Sequence, residues 1–246
     1  MAVKSIQYNQ HTMNIGYEIL NHEANIDIII LHGWGSNKAL MKKSFSKYMD
    51  SFRHIYIDLP GFGESTCNQV LKTSDYARIV ELMMIHINAK KDIIVGHSFG
   101  GKVATLLSPS VLVLLSSAGI IWSKPFKVRA KIYAFKLLKN FGFAKLRKHF
   151  VADDAKELTQ HMYETFKNVV DEDFTYEFKN FTSKALICWG KNDNATPLKS
   201  AKKINELIKD SRLEVYDGEH YFFMDYAEDI SKNIVDTFLS TMEQTK

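Results

Sequence analysis

The fold is decided by the stretch Gly96-His97-Ser98-Phe99-Gly100-Gly101. The apolar run that precedes it, residues 93–95, is typical of a buried strand, and residues 102–107 favour a helix. Glycines two positions before and two positions after Ser98 permit a tight turn from strand to helix, which lifts the serine hydroxyl clear of the backbone. The positive end of the helix dipole then favours negative charge beside it. A simple glycine-rich connection is the alternative, but the position directly after a buried strand favours a nucleophilic serine.

Short runs rich in Ile, Val and Leu alternate with helix-length periodic stretches along the chain, a pattern typical of βαβ units and a mainly parallel sheet. The predicted buried strands are residues 27–31, 54–58, 92–96, 111–115, 185–189 and 212–216. Before them, residues 3–8 and 14–20 predict an antiparallel hairpin with a polar turn at 9–12. The expected fold is therefore α/β, with about eight strands flanked by helices.

The alternation breaks once, between the strands predicted at 111–115 and 185–189, and this gap is far longer than one crossover helix needs. It contains apolar residues at helical spacing, first after Pro125 and again around Met162 and Phe166. We therefore expect residues 121–175 to form a helical lid inserted into a core domain made of residues 1–120 and 176–246.

Composition narrows the class of protein. The chain has 246 residues, 46% of them hydrophobic, which is enough for one well-buried domain. It begins without an apolar leader and has no apolar run long enough to cross a bilayer, so we expect a cytoplasmic protein without a transmembrane segment. Its two cysteines, Cys67 and Cys188, cannot build a disulfide framework or a cysteine zinc site. No metal or organic cofactor is expected.

The formal net charge of +4 is unevenly distributed. Residues 122–150 carry nine Lys or Arg and no Asp or Glu, which leaves 23 basic and 28 acidic residues elsewhere. The nine include Lys124, Lys127, Arg129 and Lys131. Such a basic lid would suit an acidic carrier protein or an anionic surface, although each residue alone also fits a solvated helix face. Nucleic acid ranks last as a partner, because no nucleic-acid-binding motif accompanies the charge.

A base for the Ser98 hydroxyl is required, because a serine at its ordinary pKa is a weak nucleophile. His220 lies beyond the last predicted strand, and Asp193 follows the strand at 185–189, so both reach the carboxyl edge of the sheet. Asp193 would hold the imidazole in the required tautomer. Asp217 and Glu219 are alternatives for that role, since they are neighbours of His220 in sequence.

Further candidates surround these three residues. The first parallel strand ends in a flexible turn at 31–35, so the backbone N–H groups of Trp34 and Phe99 are candidates for an oxyanion hole. The candidate substrate contacts are His32, His97 and Tyr221. His32 could instead orient the oxyanion turn, and His97 could pack beside Ser98.

The segments 32–35 (HGWG), 58–65 (DLPGFGES), 96–101 (GHSFGG), 189–197 (WGKNDNATP) and 218–220 (GEH) occur in an order and spacing that resemble those of α/β-hydrolases. The resemblance covers the chain except the lid. It implies a catalytic triad of Ser98, Asp193 and His220, in that chain order, and a structural role for Asp58.

Within that family the chain is similar to small carboxylesterases, including the pimeloyl-acyl-carrier-protein methyl ester esterases. This likeness implies hydrolysis of a small-molecule or carrier-linked acyl ester through an acyl-enzyme. The chain is less similar to C–C hydrolases of 2-hydroxy-6-oxo-dienoate ring-cleavage products, which carry asparagine before the nucleophile and tryptophan after the histidine, where this chain has His97 and Tyr221. A catalytically inactive hydrolase-fold binding protein is the hypothesis of another class, but it would not need all three triad residues.

Overall fold

A single eight-stranded sheet forms the centre of the computed structural model, which describes residues 2–122 and 159–243. Its strands are β1 (Ala2–Tyr8), β2 (His11–Leu20), β3 (Asp27–Leu31), β4 (Arg53–Ile57), β5 (Ile93–His97), β6 (Val111–Leu115), β7 (Lys184–Gly190) and β8 (Ser211–Tyr216). The spatial order is β1-β2-β4-β3-β5-β6-β7-β8. Strand β2 is antiparallel to β1 and β4, and the pairs from β4 to β8 are parallel. The predicted fold class is confirmed.

The first hairpin is tighter than its sequence indicates. The pairing of β1 with β2 continues to Tyr8 and His11, so β2 begins before the predicted residue 14 and only Asn9 and Gln10 form the turn. Both turn residues have positive φ, 47° and 64°. This is the backbone of a two-residue hairpin turn whose twist matches that of the strands, and asparagine tolerates it well.

Seven α-helices are described: α1 (Lys38–Phe45), α2 (Thr73–His86), α3 (Phe99–Leu107), α4 (Gln160–Val169), α5 (Thr175–Asn180), α6 (Leu198–Leu207) and α7 (Ala227–Glu243). They cover both faces of the sheet. On β3, Ile29 and Leu31 belong to the core shared with α2 and α3, whereas Ile28 and Ile30 belong to the core shared with α1 and α7. Burial on two faces explains why the parallel strands read as continuous apolar runs.

Most of the predicted lid, residues 123–158, lies outside the described residues. The helix expected around Met162 and Phe166 is α4, and both side chains are on its buried side or at the cavity described below. Among the residues that the structure describes, no helix is both long and apolar enough to cross a membrane.

Candidate active site

Ser98 occupies a strained turn between β5 and α3. Its backbone has φ 51° and ψ −114°, a conformation that costs free energy for any residue other than glycine. A Cβ added to Gly96 would lie 2.4 Å from the carbonyl oxygen of Gly100, and one added to Gly100 would lie 2.5 Å from the carbonyl oxygen of His32. Only glycine therefore fits at these two positions. The turn places the Ser98 side chain on the cavity at the carboxyl edge of the sheet.

Asp193 and His220 meet at the same edge, in the loops that follow β7 and β8. The Nδ1–H group of His220 donates a hydrogen bond of 2.8 Å to Oδ2 of Asp193. The backbone holds the two loops together, since the N–H group of Asn192 donates to the carbonyl of Gly218 over 2.9 Å. The alternative acid, Asp217, instead accepts from the side chain of Asn192. The geometry thus pairs His220 with Asp193.

The Asp193 carboxylate is kept ionised by its hydrogen bonds. Burial alone would raise its pKa, but the His220 ring and the backbone N–H group of Thr196 outweigh that effect and lower the pKa to about 2. An anion at this position stabilises a protonated imidazole. In the described part of the chain, Nδ1 of His220 lies within hydrogen-bond distance of both Asp193 and Thr196. Nε2 is therefore the ring nitrogen through which His220 could act as a base.

A cavity of about 670 Å³ adjoins Ser98 and His220. Trp34 and Phe99, the two candidate oxyanion residues, also line it. Phe99 is the first residue of α3, where backbone N–H groups have no partner within the helix. Trp34 lies inside the turn closed by the hydrogen bond from the N–H group of Ser36 to the carbonyl of Gly33. The structure thus brings both residues to the nucleophile.

Comparison with known proteins shows the family of the chain. Residues 28–232 match the alpha/beta hydrolase family. The chain belongs to that family. A pimeloyl-[acyl-carrier protein] methyl ester esterase of Vibrio campbellii is 24% identical over 234 residues, which cover 80% of this chain and 89% of the relative. The uncharacterized hydrolase YugF of Bacillus subtilis is 23% identical over 233 residues, with 82% and 85% covered. An esterase from Exiguobacterium antarcticum has the same fold, with a TM-score of 0.74, 22% identity and coverage of 95% and 98%.

In this hydrolase, His32 and His97 are not placed as substrate contacts. Both side chains are buried and form hydrogen bonds with backbone groups. His32 Nδ1 donates to the Gly33 carbonyl, and its Nε2 accepts from the N–H group of Leu59. His97 Nε2 donates to the carbonyl of His220. Burial lowers the pKa of His32 to about 4 and that of His97 to about 3, so both rings are neutral. Of the three candidates, only Tyr221 lines the cavity.

The sequence did not single out Thr196, which completes the surroundings of Asp193. Its Oγ1 lies 2.8 Å from Asp193 Oδ2 and 3.0 Å from the carbonyl oxygen of Ser116, and its N–H group donates to Asp193 Oδ1. A threonine three residues after an aspartate in a turn does not by itself indicate a role at an active site. Only the fold shows that this hydroxyl faces the acid and the base.

The sequence predicted a helix around Phe166 but did not identify which of its side chains would line the cavity. Phe166, Val169 and Val170, in and just after α4, face the same cavity as Ser98, together with Lys102 of α3. The Phe166 ring packs against Trp34, with centroids 5.3 Å apart. No local sequence pattern predicts such contacts, since Phe166 and Trp34 are far apart in the chain. The basic residues Lys124, Lys127, Arg129 and Lys131 lie outside the described residues.

Proposed function

We propose that this hydrolase cleaves carboxylic esters through an acyl-enzyme formed at Ser98, with His220 as the general base and Asp193 as the residue that orients it. The observation that carries the proposal is the 2.8 Å hydrogen bond from His220 to Asp193 at a cavity that also contains Ser98. Acyl transfer by a serine requires a nucleophile, a base beside it and an acid that orients the base. The serine lies on a strained turn with a φ of 51°, and such strain is often found at active sites.

The proposed mechanism uses the roles assigned to these residues and to the two candidate oxyanion donors. As Ser98 Oγ attacks the ester carbonyl carbon, its proton passes to His220 Nε2, and the imidazolium that forms is stabilised by Asp193. The carbonyl oxygen becomes an oxyanion that accepts hydrogen bonds from the N–H groups of Trp34 and Phe99. Collapse of the intermediate breaks the bond to the alcohol, which takes the proton from His220. Water then attacks the acyl-enzyme with His220 again as base, and the acid is released.

The acyl group is best accommodated as an apolar chain. The cavity wall beside Ser98 is built from aromatic and aliphatic side chains, among them Trp34, Phe99 and Phe166. Apolar cavities with a few placed polar groups are typical of small-molecule sites. An ester of a linear carboxylic acid fits this lining, whereas a highly charged acyl group would lose its hydration there.

The test is an activity-based label combined with a substrate panel. Wild type should react with a fluorophosphonate and hydrolyse p-nitrophenyl esters, and Ser98→Ala should do neither. Ser110→Ala, which alters an exposed serine near the end of α3, is the control and should behave as wild type. Hydrolysis by Ser98→Ala at the wild-type rate would overturn the assignment. Turnover of a dienone and not of esters would favour C–C hydrolysis, and the absence of label and turnover in wild type would favour a binding protein.

A carrier-linked substrate is the finer part of the proposal. It is supported by the Vibrio campbellii relative and by the basic stretch at 122–150, which would attract an acidic carrier protein. Reversing the charges of Lys127, Arg129 and Lys131 together should lower kcat/KM for an acyl ester carried on an acyl carrier protein and leave p-nitrophenyl acetate hydrolysis unchanged. Reversing Lys202 and Lys209, which are exposed elsewhere, is the control. Equal loss on both substrates would contradict carrier recognition.

A further inference from the structure

Lys102 is a buried lysine at the wall of the active-site cavity. It lies in α3, four residues after Ser98, and its side chain is 1% exposed. A buried ammonium group is costly unless hydrogen-bond acceptors surround it. Burial lowers the pKa of Lys102, and the nearby Glu172 carboxylate opposes that effect. The catalytic steps proposed above make no use of this cation.

Among the described residues, the hydrogen-bond partners of the Lys102 ammonium group come from the end of α4 and from the segment that follows it. Its Nζ donates to the backbone carbonyl of Val169, the last residue of α4, and to Glu172 Oε2 at 3.2 Å. It also lies over the Phe174 ring, 5.0 Å from the centroid. A cation at the C-terminal end of a helix is favourable, because the last carbonyl groups carry partial negative charge.

A second set of hydrogen bonds holds the same helix from the start of α2. The hydroxyl of Thr73 donates to Glu172 Oε2, the carboxylate oxygen that Lys102 also contacts. The backbone N–H group of Leu71 donates to Thr165 Oγ1 over 3.0 Å. We call Lys102, Glu172 and Thr73 the α4 clamp, because together they tie the end of α4 to α2 and α3.

The helix that the clamp holds forms part of the cavity wall. Phe166 and Val169 of α4 line the cavity, and the Phe166 ring contacts Trp34 beside the nucleophile. Movement of the end of α4 would therefore change the space available to the acyl group. A hydrophobic pocket distinguishes ligands that differ by one methylene by about 10- to 200-fold, so a displacement of this wall would change which chain lengths are preferred.

We propose that Lys102 is a positioning residue that determines acyl-chain specificity: by fixing the end of α4 through Val169 and Glu172, it limits the chain length accepted beside Ser98. The proposal rests on the proposed esterase function. Lys102 acts through α4 and not by contact with the substrate. Glu172 and Thr73 serve the same role although, unlike Lys102, neither lines the cavity.

The experiment compares chain-length selectivity in variants of the clamp. The measured quantity is the ratio of kcat/KM for p-nitrophenyl octanoate to that for p-nitrophenyl acetate. Lys102→Met, Glu172→Gln and Thr73→Val should each shift this ratio toward octanoate by about fivefold or more, because each one loosens the same wall. Combining two of these substitutions should add little, since they break one network.

Two control variants separate the clamp from general loss of stability. Thr73→Ser keeps the hydroxyl and should retain the wild-type ratio. Lys42→Met removes an ion pair with Glu18 in another part of the molecule and should also leave the ratio unchanged. A shift in Lys102→Met alone would overturn the proposal, because it would mean that Lys102 acts by touching the substrate. An unchanged ratio in all three clamp variants would overturn it too. If Lys102→Met does not fold, the other two variants decide.

Hydrogen exchange distinguishes failure of the clamp from failure of the esterase proposal, because it needs no substrate. The amides of α4 should exchange faster in Lys102→Met or Glu172→Gln than in Lys42→Met. Unchanged protection of α4 would refute the clamp whatever the enzyme hydrolyses. Faster exchange in a protein that hydrolyses no ester would support the clamp and reject the esterase assignment.

Discussion

Replacing Asp193 by asparagine would keep the shape of the side chain and exchange one carboxylate oxygen for an NH₂ group. The two oxygens have different partners. Oδ1 accepts from the backbone N–H groups of Ala195 and Thr196, both at 2.8 Å, whereas Oδ2 accepts from His220 Nδ1–H at 2.8 Å. Backbone N–H groups can only donate, so they hold the amide oxygen of the variant at the Oδ1 position. The NH₂ group therefore faces His220.

That orientation decides the tautomer of the base. His220 Nδ1 must then accept a hydrogen bond, so the ring proton moves to Nε2, which can no longer take the proton of Ser98. The Thr196 hydroxyl can accept from the amide and donate to the Ser116 carbonyl 3.0 Å away, so the variant should still fold. A wrong tautomer of this kind lowers kcat by about 10⁴-fold in a serine protease triad, equivalent to about 5 kcal/mol of transition-state stabilisation.

The assay is kcat for p-nitrophenyl acetate near neutral pH, with circular dichroism to confirm folding. Asp193→Asn should lose about 10⁴-fold. The matched control is Asp217→Asn, because Asp217 is a near neighbour of His220 in sequence but its carboxylate accepts from Asn192. The control should stay within about threefold of wild type. Retention of more than about a tenth of kcat by Asp193→Asn, or an equal loss in Asp217→Asn, would refute the assignment of the acid.

Two further predictions concern stability. Between pH 7 and pH 5 the free energy of unfolding should fall by at least about 3 kcal/mol. His32 and His97 stay neutral in the folded protein, because burial lowers their pKa values to about 4 and about 3. In the unfolded chain both rings become protonated below about pH 6.5, so acid favours the unfolded state. Urea titrations at several pH values measure this, and a flat profile between those limits would contradict it. Lys38→Met should lower the free energy of unfolding by about 3 kcal/mol or more, because the buried Asp58 carboxylate loses the ammonium group 2.6 Å away. Lys42→Met should lower it by less than about 1 kcal/mol, because the ion pair of Lys42 with Glu18 is more exposed. Urea denaturation of Lys38→Met and Lys42→Met decides it, and equal losses would contradict it.

The sheet was predictable because its signals are local. Strands buried on both faces must be apolar throughout, so the run before Ser98 and the run at 185–189 could be read directly. The hairpin was misjudged by a few residues, because its polar sequence does not reveal that Asn9 and Gln10 both adopt positive φ. Turn geometry depends on backbone conformations that several polar residues share.

The candidate site likewise contains residues that the sequence predicts and residues that it does not. Ser98, Asp193 and His220 follow strand ends, and parallel strands carry such residues to one edge, so topology alone predicts that they meet. Phe166 and Lys102 could not be assigned from sequence, because their roles depend on where α4 docks. The roles of His32 and His97 were also undetermined, since a histidine at a strand end can face either a cavity or the backbone. Burial settles that question here.

Reaction and selectivity depend on different parts of this hydrolase. The Asp193 carboxylate accepts hydrogen bonds from Ala195, Thr196 and His220, and none of these donors belongs to α4. The position of α4 depends on Lys102 and on the segment at 71–73. Substitutions in the cavity wall can therefore alter which acyl group fits without altering how the carbonyl is attacked. Lys102 joins the two parts, since it lies one helical turn beyond the nucleophile and holds the wall that faces it.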